Sequence, residues 1–289
     1  MAAPVGILGG SGLYEMEGFQ AERRERVETP FGAPSDEVLL GRLEGVDVAF
    51  IPRHGRGHRL SPTEVPYRAN VYALKSLGCE RLISVSAVGS LKDEIRPGDL
   101  VICDQFIDRT KGNRASTFFG EGCVVHVGFG EPTCADLRGA LVQAARAEDL
   151  RFHPRGTYVC MEGPQFSTRA ESLLYRSWAA DVVGMTNLPE AKLAREAELC
   201  YATIALSTDY DCWHPHAEPV TAEQVIRTLL ENVERAKRVL RRTVPAIAAA
   251  PRACACGEAL RTSIATSPAA IAPAVRRKLG LFLDPYLRT

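Results

Sequence analysis

Two hydrophobic periods alternate along this chain, and that alternation constrains its fold more than any other feature. Short apolar runs, many of them β-branched, fall at residues 5–8, 46–51, 81–88, 100–103, 157–161, 181–185 and 200–206. Several are apolar throughout rather than at every second position, the pattern of strands covered on both faces. Between them lie longer stretches with helical spacing, at 67–77, 134–149, 169–178, 189–197 and 222–242. In the last, Val225, Ile226, Leu229, Leu230, Val233, Ala236, Val239 and Leu240 repeat at helical intervals, and Thr221 with Gln224 fits a capping box at its start. Strands alternating with helices define an α/β domain around a mostly parallel or mixed sheet.

The bulk numbers narrow the function classes. With 289 residues there is ample chain for a buried core. Basic and acidic residues number 35 each, so a general nucleic-acid binder, which needs a basic excess, is disfavoured. No segment approaches the roughly 20 apolar residues of a membrane span, and the N-terminus MAAPVGILGG lacks the pattern of a signal peptide. A cytoplasmic protein is expected. Composition shifts after Pro245, where the chain becomes rich in Ala, Pro and Arg without strand signals. Residues 1–245 therefore read as the main domain. Residues 246–289 read as a C-terminal extension, partly helical and packing on a neighbouring subunit.

Most of the nine cysteines, among them Cys79, Cys103, Cys160 and Cys200, sit in apolar segments and read as buried thiols. Cys254 and Cys256 differ, forming CAC in the extension. A metal site there would want further ligands close in sequence, and none is evident. A redox-active or disulfide pair stays open.

Several strand ends carry groups suited to an anion. In GILGGSGLY a strand runs into glycines and Ser11, so backbone N–H groups and a hydroxyl can crowd a negative ligand. The P-loop and dinucleotide patterns both fail here. PRHGRGH follows another strand and offers Arg53, a planar donor fork, and His54 as a second donor. SVSAVGSL ends a third strand with Ser86, Ala87 and Gly89, and VVGMTNLPEA ends a fourth with Met185 and Thr186. In MEGPQFSTRAES, Gly163-Pro164 breaks a strand, Phe166 sits in the break, and Ser167 or Thr168 can cap the next helix. Open α/β sheets bind ligands at such strand ends. Finally, LSTDYDCW places Asp209 and Asp211 two positions apart on an extended segment, facing the same way. A helix cap or a metal pair would also fit that spacing, although a metal would want more oxygen or nitrogen ligands nearby.

Taken in order, GILGGSGLY, TPFGAPSD, PRHGRGHRLSP, ALKSLGC, SVSAVGSL, DQFIDRT, EGPQFSTRAES, GMTNLPEA and CYATIALSTDYDCW resemble the methylthioadenosine phosphorylase branch of the purine nucleoside phosphorylase family, from about Val5 to Pro245. The extension with CAC is similar to that of an archaeal, thermophile-associated group. The resemblance implies a mixed, partly barrel-like central sheet flanked by helices. It implies reversible phosphorolysis of 5′-methylthioadenosine to adenine and 5-methylthioribose 1-phosphate. Inorganic phosphate is the co-substrate, with no metal or organic cofactor. It also implies a homo-oligomer, a trimer or a dimer of trimers, and no nucleic-acid or membrane partner.

Roles carried over by the resemblance put Ser11, Arg53, His54, Ser86, Ala87 and Thr186 on phosphate. Phe166 stacks on the purine with Ser167 beside it, Met185 contacts the ribose, and Asp209 and Asp211 read the base. Val220, Ala222 and Val225 shape the methylthio end, with His126 lent by a neighbouring subunit. Disulfides Cys134–Cys200 and Cys254–Cys256 are implied in the same way. A departing purine needs a proton or strong hydrogen bond at N7, so Asp209 is expected in surroundings that raise its pKa. Asp211 can accept from a 6-amino group. The alternatives are a phosphorylase of broader or 6-oxopurine specificity, acting on inosine, guanosine or methylthioinosine, a nucleosidase using water, and a silent nucleoside-binding oligomer.

Overall fold

The computed structural model describes residues 4–10, 13, 18–215 and 222–287, without the side chains of 222–225 and 227. In chain order the strands and helices are β1 (Val5–Gly9), β2 (Phe19–Glu25), β3 (Val38–Leu43), β4 (Val46–Pro52), α1 (Tyr67–Ser76), β5 (Arg81–Ser90), β6 (Leu100–Cys103), β7 (Gln105–Arg109), α2 (Ala135–Ala147), β8 (Phe152–His153), β9 (Thr157–Met161), α3 (Arg169–Ser177), β10 (Val182–Gly184), α4 (Asn187–Glu196), β11 (Cys200–Asp209), α5 (Ala222–Ala249), α6 (Pro273–Lys278) and α7 (Gly280–Leu287).

The α/β expectation holds, and the sheet is mixed. β5 and β11 are its spine, paired in parallel from Arg81 beside Cys200 to Gly89 beside Asp209. Both are almost wholly buried, as continuous apolar strands must be. From β5 one branch runs outward through β1, β4, β3 and β2. The other runs through β10 and β9 to β7. Only Asp104 separates β6 from β7, and β6 pairs back onto β11. That return closes a ring β5–β10–β9–β7/β6–β11, the partly barrel-like sheet that the resemblance implied.

Helices cover both faces. α2 and α5 bury Leu137, Leu141, Val233, Val239 and Leu240 against one face, together with Ile83, Ile102 and Ile204. α1 and α4 bury Val71, Leu74, Leu193 and Ala194 against the other. The predicted segments recur with ends shifted by a few residues. β2, β7 and β8 carry no apolar run longer than two residues and β3 only the three of Val38–Leu40, so hydrophobic period did not reveal them. β2 in particular reads FQAERRE, a mostly exposed edge strand kept charged. The capping box expected at Thr221 lies outside the described residues. At α3, Thr168 makes one, accepting from the Glu171 N–H while the Glu171 carboxylate accepts from the Thr168 N–H.

The extension packs on its own chain. Leu260, Ile271, Val275, Leu279, Phe282 and Leu283 are buried in the core that holds α1 and α4. Phe282 meets Phe118 at 4.6 Å and Tyr72 at 5.6 Å between ring centroids. Glu198 adds a polar clasp, its carboxylate accepting from the Leu260 N–H at 2.9 Å and the Tyr286 hydroxyl at 2.6 Å.

Candidate active site

Three strand ends meet on one edge. β1 runs between β4 and β5, with Gly9 beside Pro52, and the Arg53 N–H donates to the Gly9 carbonyl at 2.8 Å. β10 runs antiparallel to β5, Val182 opposite Ser90 and Val183 opposite Gly89. Continuing that run brings Thr186 level with Ser86, and the two hydroxyls lie 3.0 Å apart. Tyr158 braces them, its hydroxyl 3.2 Å from Ser86 Oγ and accepting from the Thr186 N–H at 3.4 Å. Ser86 and Thr186 thus meet, with Ala87 next on β5, while Arg53, at the end of β4, reaches the Val85 carbonyl one residue before Ser86. Ser11 and Val220 lie outside the described residues, as do the side chains of Ala222 and Val225.

Arg53, expected as a donor fork for phosphate, turns most of that fork into the protein. Its guanidinium is 2% exposed and bound to Glu190, with Nε 2.7 Å from one carboxylate oxygen and Nη2 3.3 Å from the other. Nη2 also donates to Ser84 Oγ at 2.7 Å and Nη1 to the Val85 carbonyl at 3.1 Å. A guanidinium has five N–H donors, and most are spent inside the protein. Glu190 in turn accepts from the Tyr201 hydroxyl at 2.9 Å, and Asn187 Nδ2 donates to Ser84 and Tyr201. Glu190, Asn187, Tyr201 and Ser84 were not singled out from the sequence. The signal lay in NLPEA, where two polar side chains follow a buried strand.

His54 also differs from the expected donor. Burial, and then the neighbouring Arg53 charge, push its pKa down to about 4, so the ring is neutral at pH 7. Its Nδ1 lies 2.8 Å from the Leu60 carbonyl. A carbonyl only accepts, so Nδ1 carries the proton and Nε2 is left as an acceptor. Such a ring takes a hydrogen bond from a protonated phosphate oxygen rather than giving one.

The two aspartates stand further along β5. β11 carries a register shift between Ser207 and Asp209 that sets Asp209 against Gly89. A side chain at residue 89 would put its Cβ 2.9 Å from Asp209 Oδ1 and 3.2 Å from Asp211 Cβ, so the carboxylates use the room glycine leaves. Thr208 Oγ1 donates to Asp209 Oδ2 at 2.6 Å and the Asp211 N–H to Asp209 Oδ1 at 2.7 Å. Burial nevertheless raises the Asp209 pKa, and the Asp211 charge adds to the rise. Asp211 is raised too, chiefly by burial. Its Oδ2 is buried with no hydrogen bond of good geometry, although the hydroxyls of Ser172 and Ser167 lie beside it. It is a buried acceptor with two serine hydroxyls as its nearest donors.

Phe166 and Met185 complete the wall. A second buried cation, Arg114, donates to Glu162 at 2.9 Å and to the Met185 and Leu188 carbonyls at 2.6 and 3.0 Å. Gly163 has φ 69°, and a Cβ there would fall 2.4 Å from Met185 Sδ. Phe166 is 45% exposed although aromatic, on a loop tied to the aspartates by Cys212 Sγ, 3.2 Å from the Ser167 carbonyl. His126 is exposed and held by the extension, its N–H donating to the Ser263 carbonyl at 2.9 Å. No hydrogen bond or ring contact joins it to Ser86, Phe166 or Asp209 within the chain.

The site thus has two poles on one strand. Hydroxyls and a neutral histidine gather at Ser86, and carboxyl groups of raised pKa at Gly89. Three residue steps along β5 separate them by about 10 Å, which leaves space for a sugar between an anion and a heterocycle.

The sequence model of the phosphorylase superfamily matches residues 4–245, and the chain belongs to that superfamily. Its relatives include the S-methyl-5′-thioadenosine phosphorylase of Geobacter sulfurreducens, 56% identical over 99% of this chain and 100% of that protein. The protein of the same name from the Hyperthermus butylicus is 51% identical over 91% and 96%. Among solved structures, a methylthioadenosine phosphorylase sourced from an antarctic soil metagenomic library superposes with a TM-score of 0.93 at 49% identity, covering 98% of this chain and 99% of that one. A Schistosoma mansoni adenosine/methylthioadenosine phosphorylase mutant in complex with methylthioadenosine gives 0.82 at 39% identity, covering 86% and 93%. No helix among the described residues is long and apolar enough to cross a membrane.

Proposed function

We propose that this chain is a pentosyltransferase that cleaves 5′-methylthioadenosine with inorganic phosphate, giving adenine and 5-methylthioribose 1-phosphate. The observation that carries this reading is the two-pole site, with the near-full-length relatives named for that activity. Phosphate sits among Ser11, Ser86, the Ala87 N–H and Thr186, with His54 accepting from its protonated oxygen. Arg53, paired to Glu190, supplies its remaining Nη1 donor and braces Ser84 and Val85 beneath the phosphate. Breaking the glycosidic bond builds positive charge on the sugar and negative charge on the base. Phosphate stabilises the first and captures the sugar carbon.

At the other pole Phe166 stacks on the purine, with Ser167 beside it, and Met185 covers the ribose. Asp209, whose pKa burial raises, donates in its protonated form to N7 as the base leaves. Asp211 accepts from the 6-amino group through its buried carboxylate, which Ser172 and Ser167 flank. A 6-oxopurine would present an oxygen to that oxygen, so adenine is preferred. Val220, Ala222 and Val225 line the methylthio end. His126 reaches the site of a neighbouring subunit in a trimer or dimer of trimers. Exposed Val124 beside it, with Leu173, Leu174 and Trp178, supports such a contact. Phosphate is the co-substrate, the reaction uses no metal or organic cofactor, and a cytoplasmic location is expected.

The test compares methylthioadenosine, adenosine, methylthioinosine and inosine at equal concentration with phosphate present. The expected order puts the two adenine nucleosides well ahead of the 6-oxo pair. Equal or faster inosine cleavage would favour a phosphorylase of 6-oxopurine specificity instead.

A further inference from the structure

The fold gathers four cysteines that are far apart in sequence. The sulfur atoms of Cys134, Cys200, Cys254 and Cys256 all lie within 4.8 Å of one another. Cys134 is the N-cap of α2, Cys200 begins β11, and the other two flank the start of a short 3₁₀ turn at Ala255–Glu258. Cys254 is extended, with φ −80° and ψ 157°, and the turn then tightens. That bend lets both cysteines of CAC face the same point. Cys254 and Cys256 have no further ligands close in sequence, and the fold supplies two distant ones.

We propose that these four thiols form a Zn²⁺ site that fastens the C-terminal extension to the phosphorylase core. A tetrahedral zinc–thiolate centre has Zn–S bonds of about 2.3 Å, which places its sulfurs about 3.8 Å apart. The observed tetrad needs only small side-chain shifts to reach that spacing. Its ligand set is all-sulfur, which suits zinc over magnesium or calcium. Three of the four thiols are buried and one is half-buried, so the site is closed in the manner of structural zinc. A cavity of about 120 Å³, lined in part by Arg81, Cys134, Cys200, Arg252 and Cys254, gives the ion a route in.

The surroundings suit thiolates. Arg252 Nε donates to Cys200 Sγ at 3.2 Å, and its Nη2 donates to the Glu198 carbonyl. The guanidinium is thereby fixed as a cationic donor beside the cluster. The N-terminus of the 13-residue α2 adds its partial positive charge beside Cys134. Four thiolates and one dication leave two negative charges, which these groups offset in part. Four S–H protons leave as the ion enters, with no change of oxidation state, so binding weakens as pH falls. This site lies at the opposite end of β11 from Asp209 and does not take part in the chemistry.

The test uses the full-length protein purified under reducing conditions and washed with a mild chelator. About one zinc per chain is expected by elemental analysis, released on titration with a mercurial. Replacement by Co²⁺ should give the thiolate-to-cobalt charge-transfer band and the visible absorption of a tetrahedral site. Cys254→Ser and Cys256→Ser should remove that spectrum. Arg252→Gln should weaken zinc binding by about 10- to 100-fold, as loss of a ligand-orienting partner does. Nine freely titrating thiols with no metal would overturn the proposal, and so would Cys134–Cys200 and Cys254–Cys256 disulfides in the non-reduced mass spectrum. Should the serine variants fail to fold, the zinc content and cobalt spectrum of the wild type decide alone.

Discussion

At the scale of single residues, Asp209 and Asp211 do different work from similar surroundings. Both carboxyls are raised by burial. Asp209 acts while protonated, so kcat should fall as pH rises through its raised pKa. Asp209→Asn should lower kcat about 100-fold or more and remove that alkaline limb. A wild-type rate in the variant would take Asp209 out of the mechanism. The stability consequence has its own sign. A carboxyl whose folded pKa exceeds its unfolded value favours folding at low pH, and that contribution is lost as pH rises through the folded pKa. At pH 7 the buried carboxylate of Asp211 therefore costs stability. Asp211→Asn should melt at the same temperature or higher while its relative kcat/KM shifts from adenosine toward inosine, because an amide can donate to O6. A lower melting temperature with unchanged preference would contradict the assignment.

At the scale of elements, the carboxyl ends of β1, β4 and β5 and the exit of β10 are legible in the sequence. Thr186 and Asp211 follow recognisable strands, and Ser86 and Asp209 lie in the carboxyl-terminal halves of β5 and β11, where such sheets bind ligands. What pattern could not show was the partner of each charge. Arg53 looked like a free fork because nothing in PRHGRGH indicates Glu190, 137 positions away. The same blindness hid the tautomer of His54, which depends on the Leu60 carbonyl. The Arg53–Glu190 pairing makes a testable distinction. Arg53→Ala alone leaves a buried carboxylate without its cation and should cost about 3–5 kcal/mol of stability. A double replacement, Arg53→Met with Glu190→Leu, should recover much of that in denaturant melts without restoring phosphate use. Recovery of phosphate dependence in the double variant would show that the pair does not serve the anion.

At the scale of the molecule, residues 246–289 looked detachable because they lack strand signals and are rich in Ala and Pro. Many of their apolar residues are small alanines, yet Ile271, Val275, Leu279 and Phe282 fall at helical spacing and share a core with Phe118 and Phe119. Removing residues 250–289 should uncover that surface and yield an aggregating chain or one without a cooperative melt. A monodisperse truncated protein with unchanged melting would mean that the extension is a separate appendage. The closure of the sheet through Asp104 was equally invisible to hydrophobic period, since it depends on how one strand bends into the next.

The claim that joins these scales is that an anion at Ser86 and a base at Asp209 react across one sugar. The most direct measurement follows adenine released from methylthioadenosine, with and without inorganic phosphate, while phosphate consumption is counted. Adenine should form only with phosphate present, one phosphate consumed for each base released. Equal rates in phosphate-free buffer, with free methylthioribose as the product, would contradict it and make the protein a hydrolase.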